Sequence, residues 1–120
     1  MSPETRRLVE EFARSRGLRV EEAGGALRIW HGEAPLYIEV RSGSQGVMVR
    51  LGYEGLRDYV REVVDTSDNP REEIEDIVDE MSTLAYSLYE ELRRGGVKVV
   101  LDTRSAAMDI LGELEEAEEE

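Results

Sequence analysis

Residues 27–51, LRIWHGEAPLYIEVRSGSQGVMVRL, contain three runs in which apolar and polar residues alternate. Successive side chains of a β-strand point to opposite faces of a sheet, so each run predicts a strand with one apolar face. The runs are separated by Gly32–Pro35 and Ser42–Gly46, and such short connections favour antiparallel pairing. An earlier run, Leu18–Glu21, alternates in the same way before the turn at Gly24–Gly25. The four runs together predict a four-stranded antiparallel meander.

Helices precede and follow this meander along the chain, as apolar residues at helical spacing indicate. A first helix is predicted over residues 3–16, where Ser2 caps its start and Gly17 ends it. Stripes of the same kind predict a short helix over 55–65 and a long one over 70–94. At 1.5 Å per residue, the long helix extends for about 36 Å.

The rest of the chain predicts one more strand and one more helix. Val97–Leu101 is a nearly continuous apolar run, which is typical of an interior strand. Ser105 then caps a last helix, whose apolar residues continue as far as Leu114. Residues 115–120 are almost all Glu, and like charges four positions apart oppose helix formation. We therefore expect this segment to be a flexible acidic tail.

The fold class that follows is α+β. Residues 1–114 are expected to form a single domain with the element order α-β-β-β-β-α-α-β-α. Its sheet is mainly antiparallel, and the long helix covers the apolar face of that sheet. The expected core is drawn from the strands and the long helix, and it includes Leu27, Ile29, Ile38, Val49, Ile77, Met81, Leu84 and Leu88.

This element order, together with the acidic charge, resembles that of small acidic secretion chaperones. The resemblance rests on the order and the charge, and no residue motif carries it. Those chaperones combine a helix-flanked antiparallel sheet with dimerisation. The resemblance therefore implies a chaperone-like or adaptor-like protein that acts as a dimer.

The charge of the chain excludes several classes of partner. The formal net charge is −13, with +1 on residues 1–50 and −14 on residues 51–120. A nucleic-acid-binding protein needs a basic surface to neutralise phosphates, so nucleic acid is not an expected partner. The same negative field repels anionic membrane surfaces, and no apolar stretch reaches the ~20 residues of a membrane helix. We expect a cytoplasmic protein without a membrane partner.

The composition also limits the chemistry. The chain has no Cys and one His, which excludes disulfides, thiolate zinc sites and sites built on a pair of histidines. We therefore expect neither a metal nor another cofactor. Cys, Asn and Gln are scarce beside many Glu and Arg, which is typical of thermophile proteins, although the preference for Arg could equally reflect a GC-rich genome.

The residues that could carry catalysis are few. His31 ends a predicted strand, and Asp102 and Arg104 lie between the last strand and the last helix. A small enzyme or ligand-binding domain would need these three side chains to meet in one pocket. The ordinary structural interpretation is that His31 is a strand-end residue with a satisfied hydrogen bond, while Asp102, Thr103 and Ser105 compete to cap the last helix. We favour that interpretation.

The polar face of the predicted sheet is the better candidate for function. It combines aromatic, Met and Arg side chains, the types enriched at the centres of protein interfaces. Ion pairs within the sheet are the ordinary alternative for its arginines. The candidate interface residues are six on this face and one exposed aromatic on the long helix: Arg28, Trp30, Tyr37, Arg41, Met48, Arg50 and Tyr86.

The leading hypothesis is thus a non-enzymatic binding or assembly protein that forms a homodimer and can bind a protein partner. Two alternatives stay open. One is the small enzyme or ligand-binding domain at Asp102, Arg104 and His31. The other is an acidic mimic that binds a basic partner protein through the negative half of the chain.

Overall fold

The structure is a computed structural model, and it describes residues 1–119. It confirms the predicted element order and the α+β class. The helices are α1 Pro3–Ser15, α2 Leu56–Thr66, α3 Pro70–Arg94 and α4 Arg104–Glu119. The strands are β1 Arg19–Ala23, β2 Ala26–Trp30, β3 Leu36–Gly43, β4 Gly46–Tyr53 and β5 Val99–Asp102.

The five strands form one mixed sheet in the order β1-β2-β3-β4-β5. The first four strands pair antiparallel as predicted, and β5 joins β4 in parallel because α2 and α3 carry the chain back across the sheet. The prediction that Val97–Leu101 is an interior strand is therefore wrong. The strand lies at the edge of the sheet, and its continuous apolar run reflects the packing of Val99 and Leu101 under the helices.

All four helices pack on one face of the sheet. A single hydrophobic core contains residues of every helix, for example Phe12 of α1 and Ile110 of α4, together with the strand residues of one face only. The covered face is the Leu/Ile/Val face, as predicted, and α3 contributes its buried stripe from Ile74 to Leu92. Since α1 joins the same layer, it leaves the other face of the sheet uncovered.

Two of the predicted core residues lie at the margin of the core. Ile77 and Leu84 are half-buried, whereas Met81 and Leu88 on the same helix are fully buried. The line of closest contact on α3 runs through Ile74, Val78, Met81, Ala85, Leu88 and Leu92. Ile77 and Leu84 flank this line on one side.

Helix α4 extends beyond the point where the sequence predicts it to end. It includes residues up to Glu119, and within it Ala117 packs against the core while Glu118 lies 3.5 Å from Arg71. The expected flexible tail, residues 115–120, thus has helical geometry over its described part, and Glu120 lies outside the described residues. The flexibility of this segment stays a prediction. No helix within residues 1–119 is long and apolar enough to span a membrane.

Candidate functional site

The uncovered face of the sheet, called here the open face, is organised by a row of alternating charges. The strand registers place five side chains side by side across all five strands. In strand order they are Glu21, Arg28, Glu39, Arg50 and Asp102. Opposite charges directly across neighbouring strands stabilise a sheet, so the register of the strands and the charges of this row support each other.

Glu39 is the buried centre of this row. It is only 3% exposed, and three arginines surround its carboxylate. Arg50 lies at 2.8 Å, Arg41 at 3.4 Å and Arg28 at 3.9 Å. Arg41 also donates a hydrogen bond of 2.9 Å to the carbonyl of Gly24. A buried carboxylate requires such partners, and in return Glu39 holds Arg41 and Arg50 in place, while the closest partner of Arg28 is Glu54 at 2.8 Å.

A second row on the open face is aromatic. The rings of Trp30 and Tyr37 lie 4.8 Å apart, and both residues are 8% exposed although no helix covers them. Arg19 covers Trp30 at 5.2 Å, and Arg28 covers Tyr37 at 4.4 Å. Tyr37 lies flat over Gly52, where a Cβ atom would stand 2.4 Å from its ring. Burial of its ring raises the pKa of the Tyr37 hydroxyl.

Trp30 and Tyr37 are therefore packed within the monomer itself. Its faces are already occupied by arginines and by the backbone at Gly52. Stacking of nucleic-acid bases would need free ring faces, which Trp30 and Tyr37 do not offer. The arginines of this face are also largely neutralised, because the carboxylates of Glu21, Glu39 and Asp102 lie among them.

The accessible part of the open face lies toward β5. We call it the exposed strip, and it consists of Arg41, Met48, Arg50 and Val100. Three of them, Arg41, Met48 and Val100, are direct cross-strand neighbours on β3, β4 and β5. Met48 is half-buried, the arginines are exposed, and Val100 is 40% exposed. The strip thus presents apolar surface beside two arginines, which Glu39 holds from beneath.

Tyr86 does not belong to this surface. It is 54% exposed on the outer side of α3, so the helical layer and the sheet separate it from the open face. Its nearest aromatic neighbour is Tyr89, with ring centroids 6.0 Å apart. The structure brings six of the seven predicted interface residues to one face and places Tyr86 on the opposite side of the molecule.

His31 organises the turn between β2 and β3. Its Nδ1 accepts hydrogen bonds from the backbone N–H groups of Glu33 and Ala34, at 3.0 and 2.9 Å. The ring proton therefore lies on Nε2, which is 3.3 Å from the carboxylate of Glu80 on α3. These contacts connect the turn to the helix, and they occupy both ring nitrogens.

Asp102 stabilises the start of α4. One carboxylate oxygen accepts from the backbone N–H of Ser105 at 3.1 Å, and the other accepts from the Ser105 hydroxyl at 2.8 Å. These hydrogen bonds lower the pKa of Asp102. Since β3 and β4 separate β2 from β5, Asp102 and His31 are three strand spacings apart across the sheet, roughly 14 Å, and His31 also lies three residues further along its strand than Arg28, which is level with Asp102. The three residues of the enzyme hypothesis do not meet in one pocket.

Within residues 1–119, no three His, Asp or Glu side chains gather closely enough to hold a metal ion. Comparison of the chain with protein-family models, with curated proteins and with solved structures finds no match.

Proposed function

We propose that this chain is a non-enzymatic binding and assembly protein that forms a homodimer through the exposed strip of its open face. The observation that carries the proposal is a sheet with all of its helices on one side. The other side leaves Met48 and Val100 accessible between arginines that are held in place by Glu39. Apolar and Arg side chains on a rigid support are what an interface centre requires.

Electrostatics favour a second copy of the chain as the occupant. The molecule has a net charge of −13, so most surfaces of two copies repel each other. The open face differs from the rest, because its positive groups offset its carboxylates: Arg19, Arg28, Arg41, Arg50 and Lys98 against Glu21, Glu39, Asp102 and Glu54, which lies 2.8 Å from Arg28. Two copies can therefore approach through this face at the smallest electrostatic cost.

Sedimentation velocity over a wide concentration range tests the proposal. The wild type should sediment as a dimer, and Val100→Glu should dissociate it, because each copy would place a carboxylate in the contact. Val100 is exposed in the monomer, so far-UV circular dichroism should not change. Thr83→Glu adds the same charge on the exposed side of α3, and it should leave the dimer intact.

Two results would contradict this proposal. A wild type that stays monomeric at every concentration removes the homodimer. A Val100→Glu variant that dimerises as tightly as Thr83→Glu removes the open face as the contact surface.

A further inference from the structure

The outer edge of β5 offers unpaired backbone groups. The N–H of Val47 donates a 2.8 Å hydrogen bond to the carbonyl of Lys98, in a parallel register that sets Val47 beside Val99. In a parallel ladder this assigns the backbone of residues 98, 100 and 102 to β4. The N–H and C=O groups of Val99 and Leu101 then point away from the sheet. Within residues 1–119 they have no hydrogen-bond partner.

The opposite edge of the same sheet, at β1, is protected against pairing with another chain, whereas the β5 edge is not. On β1, the chain places charged residues on both faces, including Glu22 on the helix-covered side, where Arg6 of α1 pairs with it at 2.9 Å. Charges that point inward on an edge strand prevent pairing with another chain. Between Val99 and Leu101 the β5 edge has no charge and consists of three apolar residues.

We propose that two copies of this chain join through their β5 strands, which pair antiparallel about Val100 and form one continuous ten-stranded sheet. This proposal rests on the homodimer proposed above, and it sets the two open faces side by side, in contact at the Val100 end of each exposed strip. In this register Val99 lies opposite Leu101 of the second copy, and these are the residues whose backbone groups point outward. Four backbone hydrogen bonds then cross the dyad, while the two Val100 side chains pack against each other.

Charge complementarity selects this register. Lys98, the only lysine of the chain, is exposed and lies on the same face as Val100 and Asp102, since these residues are two positions apart. With Val100 at the dyad, Lys98 of each copy lies directly opposite Asp102 of the other. Opposite charges at such positions stabilise a strand pair. The neighbouring registers set Lys98 opposite either Arg104 or Val100, and both lose the two ion pairs.

The resulting dimer would join the exposed strips of its two copies. Arg41, Met48 and Val100 form one cross-strand row in each copy, and the row continues across the dyad into the second copy. The two exposed strips thus become one surface of double width. The outer parts of that surface, at Arg41 and Met48, stay free to contact a protein partner.

Hydrogen exchange of the backbone amides, measured by NMR at a low and a high protein concentration, tests the pairing directly. The amides of Val100 and Asp102 donate to β4 and should be protected at both concentrations. The amides of Val99 and Leu101 should exchange slowly only at the concentration where the dimer forms. Equal exchange of Val99 and Leu101 in monomer and dimer would overturn the edge pairing.

Substitutions provide an independent test by sedimentation equilibrium. Lys98→Glu sets a glutamate of each copy opposite Asp102 of the other copy. It should raise the dissociation constant by about tenfold, as expected for the loss of two cross-strand pairs. Asp102→Asn added to Lys98→Glu should recover part of that loss, because it removes the repulsion and keeps a side-chain oxygen for Ser105. Arg57→Glu makes the same change of charge on the exposed side of α2 and should have no effect.

Two further variants separate the edge pairing from a stacked arrangement of the two open faces. Val99→Pro removes an N–H that points outward and that β4 does not use, so it should weaken an edge-paired dimer while the monomer stays folded. Arg41→Glu lies two strands from the edge, so it should weaken only a stacked dimer.

The outcomes distinguish the two proposals. A dimer that loses affinity with Arg41→Glu and is indifferent to Val99→Pro and Lys98→Glu keeps the homodimer and overturns the edge pairing. A wild type that is always monomeric overturns both proposals. The unpaired edge of β5 would then be a site for a strand of another protein.

Discussion

Glu39 shows how a single residue can shape the open face. Its carboxylate is almost fully buried, yet three arginines reach it from neighbouring positions of the sheet. Glu39→Gln keeps the shape of the side chain and removes the charge that holds these arginines. We expect the free energy of unfolding to fall by about 2 kcal/mol, less than for a fully buried pair because Arg41 and Arg50 can turn to water.

Chemical denaturation of Glu39→Gln measures this loss, and Glu21→Gln is the matched control. Glu21 belongs to the same row of charges, but its side chain is 42% exposed and its pair with Arg19 spans 3.5 Å. Its removal should change stability by less than about 0.5 kcal/mol. Equal losses in the two variants would show that burial of Glu39 is not what matters.

Asp102 adds a pH dependence at the same scale. Hydrogen bonds from Ser105 lower the pKa of its carboxyl below the ordinary value of 3.8. Its contribution to stability is therefore fully present above that ordinary value, and it is lost as the pH falls through the lowered pKa. Asp102→Ala should cost about 1 kcal/mol at neutral pH, and the difference from the wild type should shrink below about pH 4. Urea melts of both proteins along a pH series measure this, and a difference independent of pH would contradict it.

At the scale of elements, α3 permits a prediction within one helix. Leu88 is fully buried against the sheet, whereas Leu84, one turn earlier, lies at the margin of the core. Leu88→Ala should cost about 3 to 4 kcal/mol, because it leaves a cavity, and Leu84→Ala about 1 to 2 kcal/mol. Denaturant unfolding of the two variants compares them, and equal losses would mean that the packing line of α3 is shifted.

The elements themselves were predictable because each one has a local signal. Alternation identified β1 to β4, and a capping residue followed by an apolar stripe identified α1 and α3. The position of β5 was not predictable, since a continuous apolar run suits an interior strand as well as an edge strand under a helix. The pairing of β5 with β4, which already pairs with β3 on its other side, shows that β5 ends the sheet.

The candidate site was predictable to a similar degree. Strand parity placed Trp30, Tyr37 and the arginines on one face, and the structure has them there. It could not show that the faces of the Trp30 and Tyr37 rings are covered, because that depends on Gly52 of the neighbouring strand β4 lying opposite Tyr37. Helical periodicity separated Tyr86 from the apolar stripe of α3, and the structure has it exposed on the side of α3 that faces away from the sheet.

At the scale of the whole molecule, net charge opposes the association proposed above. Each copy carries −13, and its longest dimension is 46 Å, so two copies in contact repel each other over much of their length at low salt. The screening length falls from about 30 Å at 0.01 M salt to about 8 Å at 0.15 M. The two Lys98–Asp102 pairs are weakened by the same screening, but they are few beside the summed repulsion. Salt should therefore strengthen the homodimer.

Sedimentation equilibrium of the wild type at about 0.02 M and about 0.3 M salt measures this effect. A chain that lacks residues 115–120 is the matched variant, since it loses five acids and has a net charge of −8. Its dimer should be tighter at low salt and less sensitive to salt. Its melting temperature should change by only a few degrees, because the described part of the segment, residues 115–119, contributes a small apolar contact and an exposed ion pair. A dimer that weakens with added salt would show that ion pairs dominate the contact, and a complex of an acidic mimic with a basic partner would behave in that way.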